Sequence, residues 1–221
     1  NEIIHNPDVN RHLQEMGVRF FDTNGAGELI LEDLRPEDVV IIPAFGACTQ
    51  LQQRLEAVGC VLIDTTCGSV VRVWKRVEKL AREGFTSIIH GTYTHEETIA
   101  TASRAVAAGG AYLVVRDPAE AQRVCAVIEG QQDAATFARD FSPASSPGFD
   151  PRVHLRRVGF ANQTTMLASE SLAIAESIRQ AMLREFGPGY VEENYRSFAR
   201  SVRPRRTAKT RFWRWPRGSP T

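Results

Sequence analysis

The feature that most constrains this 221-residue chain is a regular alternation of short apolar runs with longer amphipathic stretches. The apolar runs are bounded by turn residues, and they lie at residues 39–43, 60–64, 86–90, 111–115 and 157–161. Helical patterns follow at residues 47–58, 67–82, 95–107, 118–129 and 167–186. Strands that alternate with helices in this way predict parallel βαβ units, so the expected fold class is α/β.

Two further segments complete the expected organisation. At the amino end, Asn6 as a cap and Pro7 in the first turn predict a helix over residues 6–16, followed by a brief strand at residues 18–21. Residues 131–152 are richer in Asp, Ser and Pro, and this composition predicts a mobile excursion or a partly helical insertion.

Composition excludes several classes of protein. A content of 43% hydrophobic and 24% charged residues is ordinary for globular domains and rules out a disordered or fibrous chain. The longest apolar stretch, residues 39–48, is interrupted by Pro43 and Gly46 and is too short to cross a bilayer. The four cysteines form no Cys-x-x-Cys pair and are too sparse for a disulfide framework. We therefore expect a soluble protein in a reducing compartment, with no membrane partner.

Charge is distributed unevenly along the chain. Residues 199–221 contain eight basic residues and no acidic one, whereas residues 1–198 hold 19 basic against 26 acidic residues. The basic tail, with Trp213 and Trp215 among its arginines, has the composition of an arm that binds nucleic acid or an anionic surface.

Candidate site residues should lie where strands turn into helices. Ligands of parallel sheets bind beyond the carboxyl ends of the strands, where helix amino termini present free N–H groups. The turns at residues 64–67, 90–97 and 162–165 are rich in hydroxyl, imidazole and carboxyl groups, so they predict a functional cleft.

Cys67 is the one cysteine predicted to open a helix, where the helix dipole favours the thiolate needed in a metal ligand or nucleophile. The sequence favours equally the alternative that Cys67 is a small buried residue of the core. Cys48, Cys60 and Cys125 fit core positions.

Acid–base and anion-binding groups surround the same turns. His95 and Glu97 at a helix start suit proton transfer, and the alternative is ordinary capping of the helix by Glu96 and Glu97. His5 precedes the Asn6 cap and could bind an anion with helix N–H groups. Thr164 and its neighbour Thr165 could bind a ligand or cap the next helix. His90 and His12 are weaker candidates, and His12 is expected on a helix surface.

Five segments together resemble one enzyme family, the 4-hydroxy-3-methylbut-2-enyl diphosphate reductases, in its plant and cyanobacterial branch. They are EIIHNPDVN from Glu2, VVIIPAFGA from Val39, DTTC ending at Cys67, TSIIHGTYTHEETIATAS from Thr86 and GFANQTTML from Gly159. The resemblance covers residues 1–198 in order.

The resemblance implies a fold, a cofactor and a reaction. The family has three α/β lobes in a pseudo-threefold arrangement around a 4Fe–4S cluster that three cysteines hold. Electrons pass through the cluster, the allylic hydroxyl of the diphosphate substrate leaves as water, and isopentenyl and dimethylallyl diphosphates form. Ferredoxin or flavodoxin is the implied electron donor.

Individual positions carry implied roles. Cys67 matches a cluster ligand, Glu97 matches a glutamate in proton delivery, and Thr164 matches a threonine of the substrate cavity. His5 and His95 match histidines that contact the diphosphate. Phe45 stands where many bacterial members have histidine, and the plant and cyanobacterial branch that this chain resembles also has phenylalanine there.

The resemblance also suggests how the chain is divided. Residues 1–66 correspond to part of the first lobe and residues 67–198 to the second, while the first and third cluster cysteines and the third lobe are expected to be missing. Residues 199–221 are then a non-native tail, and we hypothesise that they are a frame-shifted translation of the third lobe. On this view the chain binds no nucleic acid and is inactive alone.

The expected compartment depends on the source organism: it is the cytoplasm in a bacterium and the plastid stroma in a plant or alga. The alternative is a non-redox α/β module that binds a phosphorylated ligand and uses the basic tail for nucleic acid.

Overall fold

The computed structural model describes residue 3 and residues 6–22 and 29–197, which form an α/β fold. The strands are β1 (Val39–Ile42), β2 (Val61–Asp64), β3 (Thr86–His90), β4 (Tyr112–Val115), β5 (Val158–Asn162) and β6 (Tyr195–Ser197). The helices are α1 (Pro7–Glu15), α2 (Thr49–Val58), α3 (Gly68–Arg82), α4 (Glu96–Ala107), α5 (Pro118–Ile128), α6 (Ala134–Asp140), α7 (Pro151–His154), α8 (Ala168–Phe186) and α9 (Pro188–Asn194). A single 3-10 turn at Ser142–Ala144 lies between α6 and α7.

The strands form two sheets, and every strand pair in them is parallel. β1 pairs with β2, and the larger sheet has the order β4-β3-β5-β6. β3 lies inside the larger sheet, and all five of its residues are buried. This burial is expected, because helices cover both faces of a parallel sheet.

The main core lies between the larger sheet and the helices that follow its strands. Ile88 and Ile89 of β3 and Phe160 of β5 are almost fully buried against Ile174 and Ile178 of α8. A smaller cluster, Val40, Leu55 and Cys60, packs α2 against the first sheet. Both helices turn an apolar face toward a sheet, which is what the sequence periodicity predicts.

The edge strand β4 is covered by the segment after α6. Leu113 and Ser145 form an antiparallel bridge, and the N–H of Ser146 donates to the carbonyl oxygen of Tyr112 at 3.1 Å. The hydroxyl of Ser146 in turn accepts from the N–H of Tyr112 at 3.3 Å. The predicted partly helical insertion is therefore confirmed, and it satisfies backbone groups that an edge strand would otherwise expose.

The predicted strands and helices from residue 39 to residue 186 are confirmed, with bounds that shift by one or two residues. The strand predicted at residues 18–21 is wrong: the N–H of Val18 bonds to the carbonyl oxygen of Leu13 at the end of α1, and Phe21 packs on the small cluster of Val40 and Leu55. Helix α9 and strand β6 were not predicted. Gly187 and Pro188 indicate the end of α8, but proline is also favoured in the first turn of a helix, and Pro188 is the first residue of α9.

Among the described residues, no helix is both long enough and apolar enough to cross a membrane. His5 and the basic tail at residues 199–221 lie outside the described residues, so the expectations for them stay predictions. The division into lobes at residue 66 likewise stays a prediction.

Candidate active site at the carboxyl ends of the strands

The turns after β1 and β2 are tied to each other by backbone hydrogen bonds. The N–H of Cys67 donates to the carbonyl oxygen of Ala44 at 2.8 Å. Thr65 donates twice to the carbonyl oxygen of Ile42, from its N–H at 3.1 Å and from its hydroxyl at 2.6 Å. These bonds fix the start of α3, and hence Cys67, relative to the turn that follows β1.

Gly46 and Trp74 hold the turn after β1 against α3. Gly46 has φ +85°, and a Cβ atom at this position would lie 2.2 Å from Cζ2 of Trp74. Only glycine allows both this backbone angle and this close approach of the indole. The packing positions Phe45, which is buried and meets the ring of His95 edge-on with centroids 6.2 Å apart.

His95 is the N-cap residue of α4. Its Nδ1 atom accepts a hydrogen bond from the N–H of Glu97 at 3.1 Å. The imidazole therefore satisfies one of the helix N–H groups that lack an intrahelical partner. The sequence left acid–base work and capping by Glu96 and Glu97 as alternatives, and in the structure the capping side chain is instead that of His95.

Glu97 connects the turn after β3 to the turn after β5. Its side chain is buried, with 2% of the residue exposed. One carboxylate oxygen accepts from the N–H of Thr164 at 2.6 Å, and the other accepts from the Thr164 hydroxyl at 2.8 Å. The structure thus brings together three predicted site residues, since His95 bonds to Glu97 and Glu97 bonds to Thr164.

Gln163 is a site residue that the sequence analysis did not identify. Its Oε1 atom accepts from the N–H of Thr92 at 3.1 Å and from the hydroxyl of Thr98 at 3.0 Å, while its Nε2 atom donates to the hydroxyl of Thr165 at 2.7 Å. A Cβ atom on Gly91 would lie 3.0 Å from Gln163 Oε1. The signal was available, because Gln163 stands inside the quoted motif next to Thr164.

Cys67 is exposed at the N-cap of α3, which excludes the alternative of a small buried core residue. The N–H of Ser69 lowers the pKa of the Cys67 thiol, and the Ser69 hydroxyl, the N–H of Val70 and the charge of Arg72 lower it further. Such donors stabilise the thiolate, which is the form that binds iron.

The other three cysteines do not join Cys67. Cys60 is buried with α2, and burial raises the pKa of Cys125 to about 11. Cys48 is half-buried at the N-cap of α2. Within residues 6–22 and 29–197, no group of three His, Cys, Asp or Glu side chains is placed to hold a metal ion. The described residues therefore bring one thiol, that of Cys67, to this site and do not by themselves supply the three-cysteine set of a cluster.

The two weaker histidine candidates lie outside this constellation. His90 is fully buried, its Nδ1 lies 2.7 Å from the Ser171 hydroxyl, and its Nε2 lies 4.0 Å from a carboxylate oxygen of Glu170. Burial lowers the pKa of His90. His12 lies on the exposed surface of α1, where it faces Glu15 at 3.6 Å.

Known proteins match the chain over most of its described length. The LytB protein family matches residues 1–196. The 4-hydroxy-3-methylbut-2-enyl diphosphate reductase of Gloeobacter violaceus is 49% identical over 200 residues, which are 89% of this chain and 47% of that protein. The enzymes of the same name from Thermosynechococcus vestitus and Prochlorococcus marinus (strain MIT 9211) are 49% and 50% identical, and each match covers 90% of this chain and 48% of the relative.

Solved structures agree on the fold. A structure of (E)-4-hydroxy-3-methyl-but-2-enyl diphosphate reductase, described as the terminal enzyme of the non-mevalonate pathway, superposes with a TM-score of 0.60 at 24% identity and covers 89% of this chain and 54% of its own. The corresponding reductase of Plasmodium falciparum also gives a TM-score of 0.60, at 18% identity, and covers 89% and 48%.

These matches confirm the expected α/β fold and the expected family. The chain spans about half the length of the relatives it matches. On a match that extends over residues 1–196, the chain belongs to the LytB protein family, whose members include the 4-hydroxy-3-methylbut-2-enyl diphosphate reductases.

Proposed function

We propose that this chain forms part of an enzyme that reductively removes the hydroxyl group of 4-hydroxy-3-methylbut-2-enyl diphosphate, giving isopentenyl and dimethylallyl diphosphates. One observation supports this most strongly: the buried carboxylate of Glu97 is hydrogen-bonded to Thr164 and its backbone N–H to His95. These are three of the residues for which the family resemblance implies roles in proton delivery and substrate binding.

The substrate has an anionic end and a hydroxyl end, and the site offers partners for both. The amino end of α4 and the imidazole of His95 suit diphosphate oxygens, because helix N–H groups and the helix dipole favour anions. Thr164 is exposed and donates its hydroxyl proton to Glu97, so its oxygen is an acceptor that suits a ligand hydroxyl.

Glu97 is the residue that we propose to handle the proton. It lies directly beneath Thr164, within one hydrogen bond of a group that would contact the substrate. Once protonated, Glu97 would donate to the Thr164 oxygen, and the threonine hydroxyl could then turn its own proton toward a ligand, so the pair can relay a proton. His5, which we also propose to contact the diphosphate, belongs to the part of the chain outside the described residues.

The redox chemistry of the proposed reaction belongs to the whole protein. In the family a 4Fe–4S cluster supplies the electrons, and ferredoxin or flavodoxin is the proposed donor to it. Cys67 would be one ligand of that cluster. We expect the 221-residue polypeptide alone to gain no cluster absorbance after reconstitution with iron and sulfide and to show no turnover, because metal affinity depends on the number of preplaced ligands and the described residues supply one.

A chimera tests the proposed function. Residues 1–196 of this chain replace the matching segment of the Gloeobacter violaceus reductase, which supplies the remainder of the protein. We expect the chimera to reduce 4-hydroxy-3-methylbut-2-enyl diphosphate with a chemical reductant. The Glu97→Gln chimera should lose about 100-fold or more in turnover while retaining cluster absorbance.

Two controls sharpen this experiment. Cys67→Ser should abolish both the cluster absorbance and turnover, whereas Cys125→Ser, on α5 and away from the described site, should change neither. A chimera that takes up a full cluster and binds substrate but does not reduce it would contradict the proposal and favour a module that only binds phosphorylated ligands.

A further inference from the structure

The hydrogen bond between Glu97 and His95 has a defined direction. The backbone N–H of Glu97 can only donate, so Nδ1 of His95 must present a lone pair to it at 3.1 Å. A neutral imidazole carries one proton, on either Nδ1 or Nε2. A proton on Nδ1 would point at the proton of Glu97 N–H, so in the neutral ring it resides on Nε2.

The surroundings of His95 hold this ring in place. Phe45 contacts it edge-on, and Phe45 is itself fixed by the packing of Gly46 on Trp74. The Glu97 backbone is anchored from the other side, because both oxygens of its carboxylate bind Thr164. The ring therefore has little freedom to flip about its Cβ–Cγ bond, a rotation that would replace Nδ1 by Cδ2 opposite the Glu97 N–H.

We propose that the backbone N–H of Glu97 fixes His95 as the Nε2–H tautomer, so that His95 recognises its ligand as a neutral hydrogen-bond donor. A group bound through Nε2 must then be an acceptor, such as a phosphate oxygen, and the contact relies on direction rather than on an imidazolium charge. The inference rests on the proposed function, because it states how the proposed diphosphate site selects its ligand group.

Nitrogen NMR of the histidine side chains tests the tautomer without any activity. The full 221-residue chain is labelled with ¹⁵N-histidine, and the His95 signals are assigned as those that vanish in His95→Asn. We expect a pyridine-like shift for Nδ1 and a pyrrole-like shift for Nε2 at neutral pH. A pyrrole-like Nδ1 in the folded chain would overturn the inference.

Glu97→Gln is the matched control that tests whether the backbone N–H or the carboxylate of Glu97 determines the tautomer of His95. The variant keeps the backbone N–H but replaces the carboxylate, so the His95 shifts should stay as in the parent chain. A change of tautomer in this variant would show that the carboxylate determines it, and would contradict the inference.

Two substitutions at position 95 separate capping from ligand recognition. Asparagine is a good N-cap but is too short to place a donor where Nε2 lies, so His95→Asn should keep the denaturation midpoint. Glutamine reaches further but caps poorly, so His95→Gln should lower the midpoint. With inorganic pyrophosphate as the probe in calorimetry, His95→Asn should bind about tenfold more weakly than the parent chain.

The outcomes for the two proposals can be told apart. If the parent chain shows the Nε2–H tautomer but binds no pyrophosphate, the proposed diphosphate site is refuted while the tautomer assignment stands. If pyrophosphate binds equally well to the parent and to His95→Asn, the donor role of Nε2 is refuted even though the site binds diphosphate.

Discussion

Ser103 of α4 caps helix α2: its Oγ atom accepts a hydrogen bond from the N–H of Thr49 at 3.0 Å. The N-cap residue of α2 itself, Cys48, makes no side-chain capping bond. Next to this contact, Arg104 donates to Gln52 at 2.8 Å and stacks on the ring of Trp74 at 4.3 Å. Helix α4, which begins at the His95 cap, is thus joined to α2 beside the first sheet and to Trp74 of α3.

Ser103→Ala removes this cap. We expect the free energy of unfolding to fall by about 1 kcal/mol, which is the usual cost of losing an N-cap hydroxyl. Denaturant unfolding measures the change. The control is Ser177→Ala on the exposed side of α8, where the hydroxyl only bonds to Ala173 of the same helix. Equal effects for the two variants would show that the Ser103 contact contributes nothing specific.

Gly46→Ala tests the packing of the turn after β1. Gly46 and Gly59 have similar backbone angles, φ +85° and +81°, but only Gly46 is covered by an indole, whereas a Cβ atom on Gly59 meets nothing within 4 Å. Gly59→Ala should therefore cost only the left-handed backbone strain of about 1 kcal/mol. Gly46→Ala adds a clash with Trp74 and should cost about 3 kcal/mol in all. Thermal unfolding compares them, and similar losses would contradict the close packing.

The reactivity of Cys67 should depend on pH in a predictable direction. Because the N–H of Ser69 lowers its thiol pKa, the midpoint of its alkylation rate should lie below that of free cysteine. Mass spectrometry of iodoacetamide-treated protein gives the rate at each site. Cys125, with a pKa of about 11 and half-buried, should react far more slowly at neutral pH.

Ser69→Ala is the matched variant for this measurement. It removes the hydroxyl bond to Cys67 but keeps the backbone N–H, so the midpoint should rise without reaching the value of free cysteine. A midpoint for the parent chain at or above that of free cysteine would refute the predicted stabilisation of the thiolate.

His90 should make folding stability sensitive to mild acid. Burial lowers its pKa in the folded chain from the ordinary 6.5, and the carboxylate of Glu170 only partly opposes this. Below about pH 6.5 the unfolded chain therefore binds a proton that the folded chain does not, so stability falls as the pH drops and is fully present above that value. Denaturant unfolding across this range should show the loss.

Two variants test whether His90 causes the pH dependence of the free energy of unfolding. His90→Asn should flatten the slope below pH about 6.5, whatever its effect on stability at neutral pH. His12→Asn, on the exposed face of α1, should leave the slope in place. An unchanged slope in His90→Asn would show that other groups cause the acid sensitivity.

Local signals allowed much of this fold to be predicted. Asn6 with Pro7 marked α1, and Gly59 and Gly187 marked helix ends that the structure confirms. The strand at residues 18–21 failed because a short apolar run looks the same whether it pairs in a sheet or, as for Phe21, packs as an irregular segment on a core.

The site was predictable in its residue types but not in its contacts. Position in a strand-to-helix turn indicated His95, Glu97 and Thr164, because the ends of parallel strands converge. Nothing local showed that Thr164 would bind Glu97, since 67 positions separate them in the chain. Gln163 could have been singled out as a polar residue of the turn that contains Thr164, but its hydrogen bonds to Thr92, Thr98 and Thr165 follow no spacing rule.

The bridge between Leu113 and Ser145 also limits how the larger sheet can associate. A foreign strand that approached β4 would first have to displace the segment around Ser146, which already occupies the hydrogen-bonding groups of Tyr112. Edge-to-edge stacking into fibres is therefore disfavoured on this side of the sheet.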